Sequence, residues 1–103
     1  MKAVYPGRFD PVTYGHLDVI KRARDIFSQV IVLCAEEPEK NVVFSTKERV
    51  EMLKEATAKL SFVEVSSFSG LLVDWLAKNK IKVVVRGLRM SCDFEYEFQM
   101  ALT

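Results

Sequence analysis

The residue types best suited to chemistry lie in one glycine-containing stretch near the start of the chain, residues 5–16, which read YPGRFDPVTYGH. The stretch follows an apolar run typical of a strand and precedes an amphipathic helical pattern. In α/β proteins anions bind at such turns, because free N–H groups and the helix dipole favour negative charge. His16 falls in the first predicted helical turn, where its imidazole can donate to charge that develops in a transition state. The stretch therefore predicts a phosphate site, and the alternative is an ordinary turn whose histidine is a surface or capping residue.

A second group of polar residues follows the last predicted strand. Arg86 comes at the end of that strand and Arg89 follows after Gly-x. Arginine offers a fixed fork of donors that matches phosphate oxygens, so this pattern suits a phosphate clamp. Two solvated surface arginines would give the same pattern. The acidic residues Asp93, Glu95 and Glu97 fit an ordinary acidic face at a helix N-terminus, where the dipole stabilises negative charge, and this interpretation is favoured for Asp93 and Glu95.

Strands and helices are predicted to alternate along the whole chain. Apolar, β-branched runs predict four strands, at residues 2–5, 30–33, 62–65 and 81–85. Helical spacing predicts helices that begin near residues 16, 45, 69 and 93, the second of them marked by a capping-box pattern from Ser45 to Glu48. In the last helix an apolar stripe is expected, made of Phe94, Phe98, Ala101 and Leu102. The alternation predicts one α/β domain over residues 1–103, a doubly wound parallel sheet with helices on both faces.

The predicted topology gathers the polar groups at one edge of the sheet. Right-handed crossovers place the carboxyl ends of parallel strands on one side. The Gly7 loop, the loop that holds Lys40, and the loop that holds Arg86 and Arg89 then meet there. Three cationic groups and His16 are expected to converge at this edge, where sheets of this class bind ligands.

Composition excludes some classes of function. The net charge is +1 at pH 7, so composition gives no electrostatic argument for nucleic acid or a membrane surface. No apolar run is long enough to cross a bilayer, and no signal peptide or protein-held metal is predicted. Cys34 and Cys92 lack metal-type spacing, so we expect two unpaired thiols in a reducing cytoplasm.

The two polar stretches resemble a known enzyme family. The segment from Gly7 to Pro11, followed by Thr13-Tyr14-Gly15-His16, resembles the nucleotidyltransferase superfamily, whose corresponding signature holds nucleotide phosphates. Residues 86–97, together with Lys40, Phe44 and the Leu71-Leu72 pair, are closely similar to bacterial phosphopantetheine adenylyltransferases over essentially the whole chain. The resemblance implies a Rossmann-like fold and adenylyl transfer from ATP to 4′-phosphopantetheine, which gives dephospho-coenzyme A and pyrophosphate. It also implies Mg²⁺ with the ATP, a homo-oligomer that is commonly a hexamer, and coenzyme A as a feedback ligand.

The resemblance also assigns roles by position. His16 would stabilise the transition state at the α-phosphate of ATP. Lys40 and Arg86 would hold the phosphate of phosphopantetheine, and Leu72 would line its pantetheine arm. The implied ATP contacts are Arg8, Phe9, His16, Gly87, Leu88, Arg89 and Glu97. Positioning and positive charge supply most of the effect in such in-line transfers, and direct transfer without a covalent intermediate is expected.

The sequence departs from the family pattern at two places. Arg8 stands where the family has Ser or Thr, whose hydroxyl contacts both substrates. The family also continues for roughly a third more chain, with an Ile-Ser-Ser-Ser/Thr segment that binds ATP phosphates, so the sequence is interpreted as C-terminally truncated. Three functions stay open: phosphopantetheine adenylyltransferase, another cytidylyl- or adenylyltransferase of the superfamily, and an inactive nucleotide-binding form.

Overall fold

The computed structural model describes residues 1–36 and 43–87, together with the backbone of residues 94–98. Within these residues strands and helices alternate, as predicted, up to the end of the fourth strand. The elements are β1 (Lys2–Gly7), α1 (Tyr14–Ala23), β2 (Gln29–Ala35), α2 (Thr46–Ala56), β3 (Val63–Phe68), α3 (Leu72–Asn79), β4 (Val83–Gly87) and β5 (Phe94–Phe98).

All five of these strands form a single sheet in the order β3-β2-β1-β4-β5. Strands β1 to β4 are mutually parallel where they pair, and β1 lies between β2 and β4 at the centre. The chain therefore reverses direction across the sheet after β3, which is the strand order typical of Rossmann-like folds. The predicted α/β fold and its four parallel strands are confirmed.

The sheet buries apolar side chains on both faces. On one face Tyr5 of β1 packs with Ile20 of α1 and Leu53 of α2. On the other face Val4 of β1 packs with Leu76 of α3. Successive side chains of a strand point to opposite faces, so neighbouring residues of β1 contribute to different cores. This two-sided burial explains why the central strands read as continuous apolar runs.

Helix boundaries were predicted with mixed success. The capping box at the start of α2 is confirmed, because Ser45 Oγ accepts from the Glu48 backbone N–H at 3.1 Å and Glu48 Oε1 accepts from the Ser45 N–H at 2.9 Å. Helix α1 ends at Ala23, and Ile26, three residues beyond the helix, is 49% exposed. None of the helices in the described part of the chain has both the length and the apolar character that crossing a bilayer requires.

The prediction of a last helix beginning near Asp93 is wrong for the residues that the structure describes. Residues 94–98 form β5, which pairs antiparallel with β4, with Phe94 opposite Gly87 and Glu97 opposite Val84. The FEYEF sequence alternates aromatic and acidic residues with the period of a strand, a pattern that fits pairing along a sheet edge. The helical stripe therefore does not form at Phe94 and Phe98, while Asp93, Ala101 and Leu102 lie outside the described residues.

Candidate active site

His16 is fixed at the N-terminus of α1 by a reciprocal capping arrangement. The Thr13 hydroxyl accepts from the His16 backbone N–H at 3.3 Å, and His16 Nδ1 accepts from the Thr13 backbone N–H at 3.0 Å. A glutamate or glutamine usually fills this third helical position, and here the imidazole takes over its function. The capping alternative considered for this histidine is thus confirmed, and it sets the orientation of the ring.

The cap also decides which ring nitrogen of His16 can act on a ligand. Since Nδ1 accepts a hydrogen bond from a backbone N–H, the proton of the neutral ring is on Nε2. Partial burial lowers the pKa of His16 from its usual value, which favours this neutral form. The side chain therefore presents one N–H donor, suited to a phosphate oxygen on which negative charge grows.

The ring of Phe9 packs directly against the imidazole of His16. Its ring is 2% exposed and lies edge-to-face against His16, with ring centroids 4.8 Å apart, and against Tyr5 at 5.4 Å. The backbone of Phe9 has a φ of 51°, in the left-handed region that non-glycine residues seldom adopt. A Cβ added to Gly7 would come within 3.1 Å of the Phe9 ring, so glycine at this position makes room for that ring.

A cavity of about 380 Å³ opens at the carboxyl ends of β1 and β4. Leu72 and Arg86, both predicted to contact phosphopantetheine, line this cavity together with Tyr5, Pro6, Val84 and Val85. Tyr5 also has its ring 6.4 Å from the His16 ring, within the core on the α1 face of the sheet. The predicted convergence of three cationic groups and His16 at this edge stays a prediction, because Lys40 and Arg89 fall outside the described residues, while Arg86 lines the cavity and His16 stands at the start of α1.

The other predicted site residues are placed less completely. The Arg8 side chain is exposed at the carboxyl end of β1, and Gly87 ends β4. Glu97 lies in β5 and not in a helix. Lys40, Leu88 and Arg89 fall outside the described residues.

Two residues next to the site were not singled out from the sequence. Asp10 accepts from the backbone N–H groups of Val43 and Phe44, and Arg49 is 1% exposed within a set of carbonyl oxygens. Although partial desolvation opposes the effect, those two N–H groups and the nearby arginines lower the pKa of Asp10. Arginine is seldom fully buried, but its position in the α2 helical pattern carried no sequence signal for burial.

Within the part of the chain that the structure describes, no three His, Cys, Asp or Glu side chains are grouped as a metal site. The described arrangement instead consists of one neutral N–H donor, one exposed arginine beside a cavity, and a turn between β1 and α1. These groups suit the binding of phosphate-bearing molecules at the carboxyl edge of a parallel sheet.

Residues 4–103 match the cytidylyltransferase-like family. The chain belongs to this family. Two relatives named phosphopantetheine adenylyltransferase are 53% identical over 103 residues, from Dictyoglomus turgidum, and 56% identical over 100 residues, from Clostridium botulinum. These matches cover 100% and 97% of this chain, and 64% and 61% of the two relatives, so the chain spans about three fifths of their length.

The fold is shared with a solved structure of much lower sequence similarity. The lipopolysaccharide core biosynthesis protein from Thermoplasma volcanium superposes with a TM-score of 0.64 at 17% identity, over 82% of this chain and 71% of that one. At this level of identity the likeness concerns the fold alone. It supports the α/β fold described above.

Proposed function

We propose that this chain takes part in adenylyl transfer from ATP to 4′-phosphopantetheine. It is either the enzyme itself or the substrate-binding part of that enzyme. The observation that carries the proposal is the cavity lined by Leu72 and Arg86 at the carboxyl ends of β1 and β4, in a chain 53–56% identical to relatives named phosphopantetheine adenylyltransferase. The cavity has an apolar wall and a cationic rim. That combination suits an acceptor that has an uncharged arm and a phosphate.

The proposed reaction is a direct in-line displacement. An oxygen of the acceptor phosphate forms a bond to the α-phosphorus of ATP while the bond from that phosphorus to the pyrophosphate oxygen breaks. Two anions must approach, so catalysis depends on positioning and on donors aimed at the developing charge. His16 Nε2–H is the donor we assign to the α-phosphate, and Arg86 is the group we assign to the acceptor phosphate.

Further properties of the proposed enzyme follow from its substrates and surface. We propose that Mg²⁺ enters with the ATP phosphates, where it neutralises charge.

Self-association as a homo-oligomer is supported by exposed Leu71 and Val73 at the start of α3. A single monomeric species in light scattering would contradict it. Coenzyme A contains the same pantetheine arm and is proposed as a feedback ligand of the cavity. A cytoplasmic location is supported by the free, buried thiol of Cys34.

A coupled pyrophosphate-release assay run beside a binding titration tests the proposal. We expect pyrophosphate release that depends on both ATP and 4′-phosphopantetheine. Turnover with CTP in place of ATP, or with a different alcohol phosphate, would favour another enzyme of the superfamily. Binding of both ligands with no release of pyrophosphate would identify a nucleotide-binding form without turnover.

A further inference from the structure

We propose that Arg49 and Asp10 form a latch, a hydrogen-bonded network that positions His16 through Phe9. The latch joins the turn between β1 and α1 to the start of α2. Its functional consequence rests on the proposed adenylyl transfer, whereas its structural consequence can be measured on the ring of His16 itself.

The guanidinium of Arg49 donates to backbone carbonyls from three segments. Nη1 donates to the Arg8 carbonyl at 2.9 Å and to the Ala35 carbonyl at 3.0 Å, while Nε donates to the Phe44 carbonyl at 3.0 Å. Nη2 donates to Thr46 Oγ1 at 2.9 Å. Three fixed directions of donation from one planar group hold these segments at set distances, which a lysine ammonium cannot do equally well.

Asp10 closes this network from the other side. Its Oδ1 accepts from the Phe44 N–H at 2.8 Å and its Oδ2 accepts from the Val43 N–H at 2.6 Å. Phe44 therefore donates to Asp10 through its N–H and accepts from Arg49 through its carbonyl. A closed path runs from Asp10 through Phe44 and Arg49 to the Arg8 carbonyl, two residues before Asp10.

The path reaches His16 through Phe9. Phe9 lies between Arg8 and Asp10, both of which the latch holds, and its φ of 51° is one that a free loop would seldom keep. The latch therefore keeps the Phe9 ring buried against His16, at the 4.8 Å ring separation. Without Arg49 or Asp10 we expect Phe9 to relax, the imidazole to become more hydrated, and its Nε2–H to lose its fixed direction.

His16 is the one histidine of the chain, so its NMR signals report on the latch without ambiguity. The variants Arg49→Gln, Arg49→Lys and Asp10→Asn should move the pKa of His16 up towards 6.5 and broaden or shift its ring ¹⁵N signals. Matched controls are Arg22→Gln and Asp18→Asn, which alter an exposed Arg–Asp ion pair on α1 and should leave His16 unchanged. Circular dichroism and a thermal melt establish that each variant is folded.

In the adenylyl transfer assay the same variants should lower kcat by about tenfold or more while the Kd for ATP changes by less than about threefold. Folded Asp10→Asn and Arg49→Lys proteins with the wild-type histidine titration and signals would overturn the latch. If the variants shift His16 but leave kcat intact, the positioning role is refuted and adenylyl transfer stands. If the wild-type chain transfers no adenylyl group, the proposed function fails while the histidine signals still decide whether the latch exists.

Discussion

The imidazole of His16 rests edge-on against the ring of Phe9, with an interplanar angle of 71° and a centroid separation of 4.8 Å. Nδ1 of this imidazole accepts from the Thr13 backbone N–H, and Nε2 carries the N–H donor. The ring thus has a structural and a proposed catalytic function on different nitrogens. Substitutions can separate the two.

His16→Ala should lower turnover by about a hundredfold or more while ATP affinity changes little, because the lost donor acts on charge that develops in the transition state. His16→Asn is the informative companion, since its side-chain oxygen can still cap the Thr13 N–H but its amide cannot reach the Nε2 position. We expect His16→Asn to keep the stability of the wild type and to be as inactive as His16→Ala. Steady-state kinetics measure turnover and an ATP titration measures affinity. Equal losses of ATP binding and turnover would indicate a ground-state contact instead.

Arg86→Ala should weaken binding of 4′-phosphopantetheine and leave ATP binding nearly intact. Arg86 is exposed at the rim of the cavity, where its guanidinium can meet the acceptor phosphate. Arg86→Lys should still lose much of the affinity, because a point charge does not replace a bidentate fork. Lys40→Ala is predicted to act in the same way. Arg22→Ala, an exposed arginine on α1, is the control for isothermal titration with each ligand, and unchanged phosphopantetheine affinity in the Arg86 and Lys40 variants would refute the clamp.

Arg8→Thr should raise turnover by about tenfold or more, which corresponds to about 1.4 kcal/mol of barrier. Arginine is longer than the hydroxyl residue that the family resemblance implies at this position, and it needs more space where the two substrates are proposed to meet. In-line transfer is sensitive to small misplacements. The assay is pyrophosphate release in a chain extended to the length of the curated relatives, in which the Arg8→Thr variant is compared with the unsubstituted form. No change would mean that the side chain turns towards solvent, and a fall would mean that Arg8 has itself taken over the phosphate contact.

Gly7→Ala should destabilise the fold by about 1–3 kcal/mol, because its new methyl group would lie 3.1 Å from the buried Phe9 ring. Gly15→Ala, in the first turn of α1, is the matched control. An added Cβ there meets only Thr13 Oγ1 at 3.6 Å, and alanine gains helix propensity within α1. Urea unfolding of both variants tests the contrast. Equal stabilities would show that Phe9 moves aside without cost.

The stability of the fold should fall as the pH drops through and below about 6.5, and His16 should account for part of that loss. Burial lowers the pKa of His16 below its unfolded value of 6.5, so between those two pKa values the unfolded chain binds more protons than the folded one. Stability is therefore fully present above pH 6.5 and is lost as the pH falls towards the folded pKa. The contribution of His16 is measured by comparing how the urea midpoints of wild type and His16→Asn change with pH across this range. An identical pH dependence of the two midpoints would contradict the prediction.

Much of the fold could be predicted because the apolar runs of β1, β2 and β4 are buried on both faces, which leaves a strong signal in the sequence. The C-terminal strand was missed, since in residues 94–98 an aromatic pair spaced four apart fits a helix as well as a strand. Pairing with the free edge of β4 decides between the two, and that edge is a tertiary feature. The local periodicity of residues 94–98 does not indicate that this edge is available for pairing.

His16 and Arg86 could be singled out because each belongs to a short stretch of consecutive polar and glycine residues, whereas Leu72 was assigned through the family resemblance, and the roles of all three stay predictions. Asp10 and Arg49 were missed because their partners are backbone groups of segments distant in sequence. Asp10 bonds to Val43 and Phe44, 33 and 34 positions away, and Arg49 bonds to Arg8, 41 positions away. Backbone groups have no residue identity, so no pattern of side chains indicates such contacts.

The position of β1 between β2 and β4 has a consequence for the order in which the protein assembles. Val4 pairs with Val84, so one edge of β1 stays unpaired until a strand eighty residues later in the chain has been synthesised. Contacts of such long sequence separation close slowly, because the loop entropy is lost before the pairing is gained. During translation a nascent chain that ends before β4 would expose an unpaired central edge, which is a site for mispairing. The cavity wall supplied by Val84, Val85 and Arg86 is therefore completed late, and a ligand that binds in this cavity would report that the last parallel strand has docked.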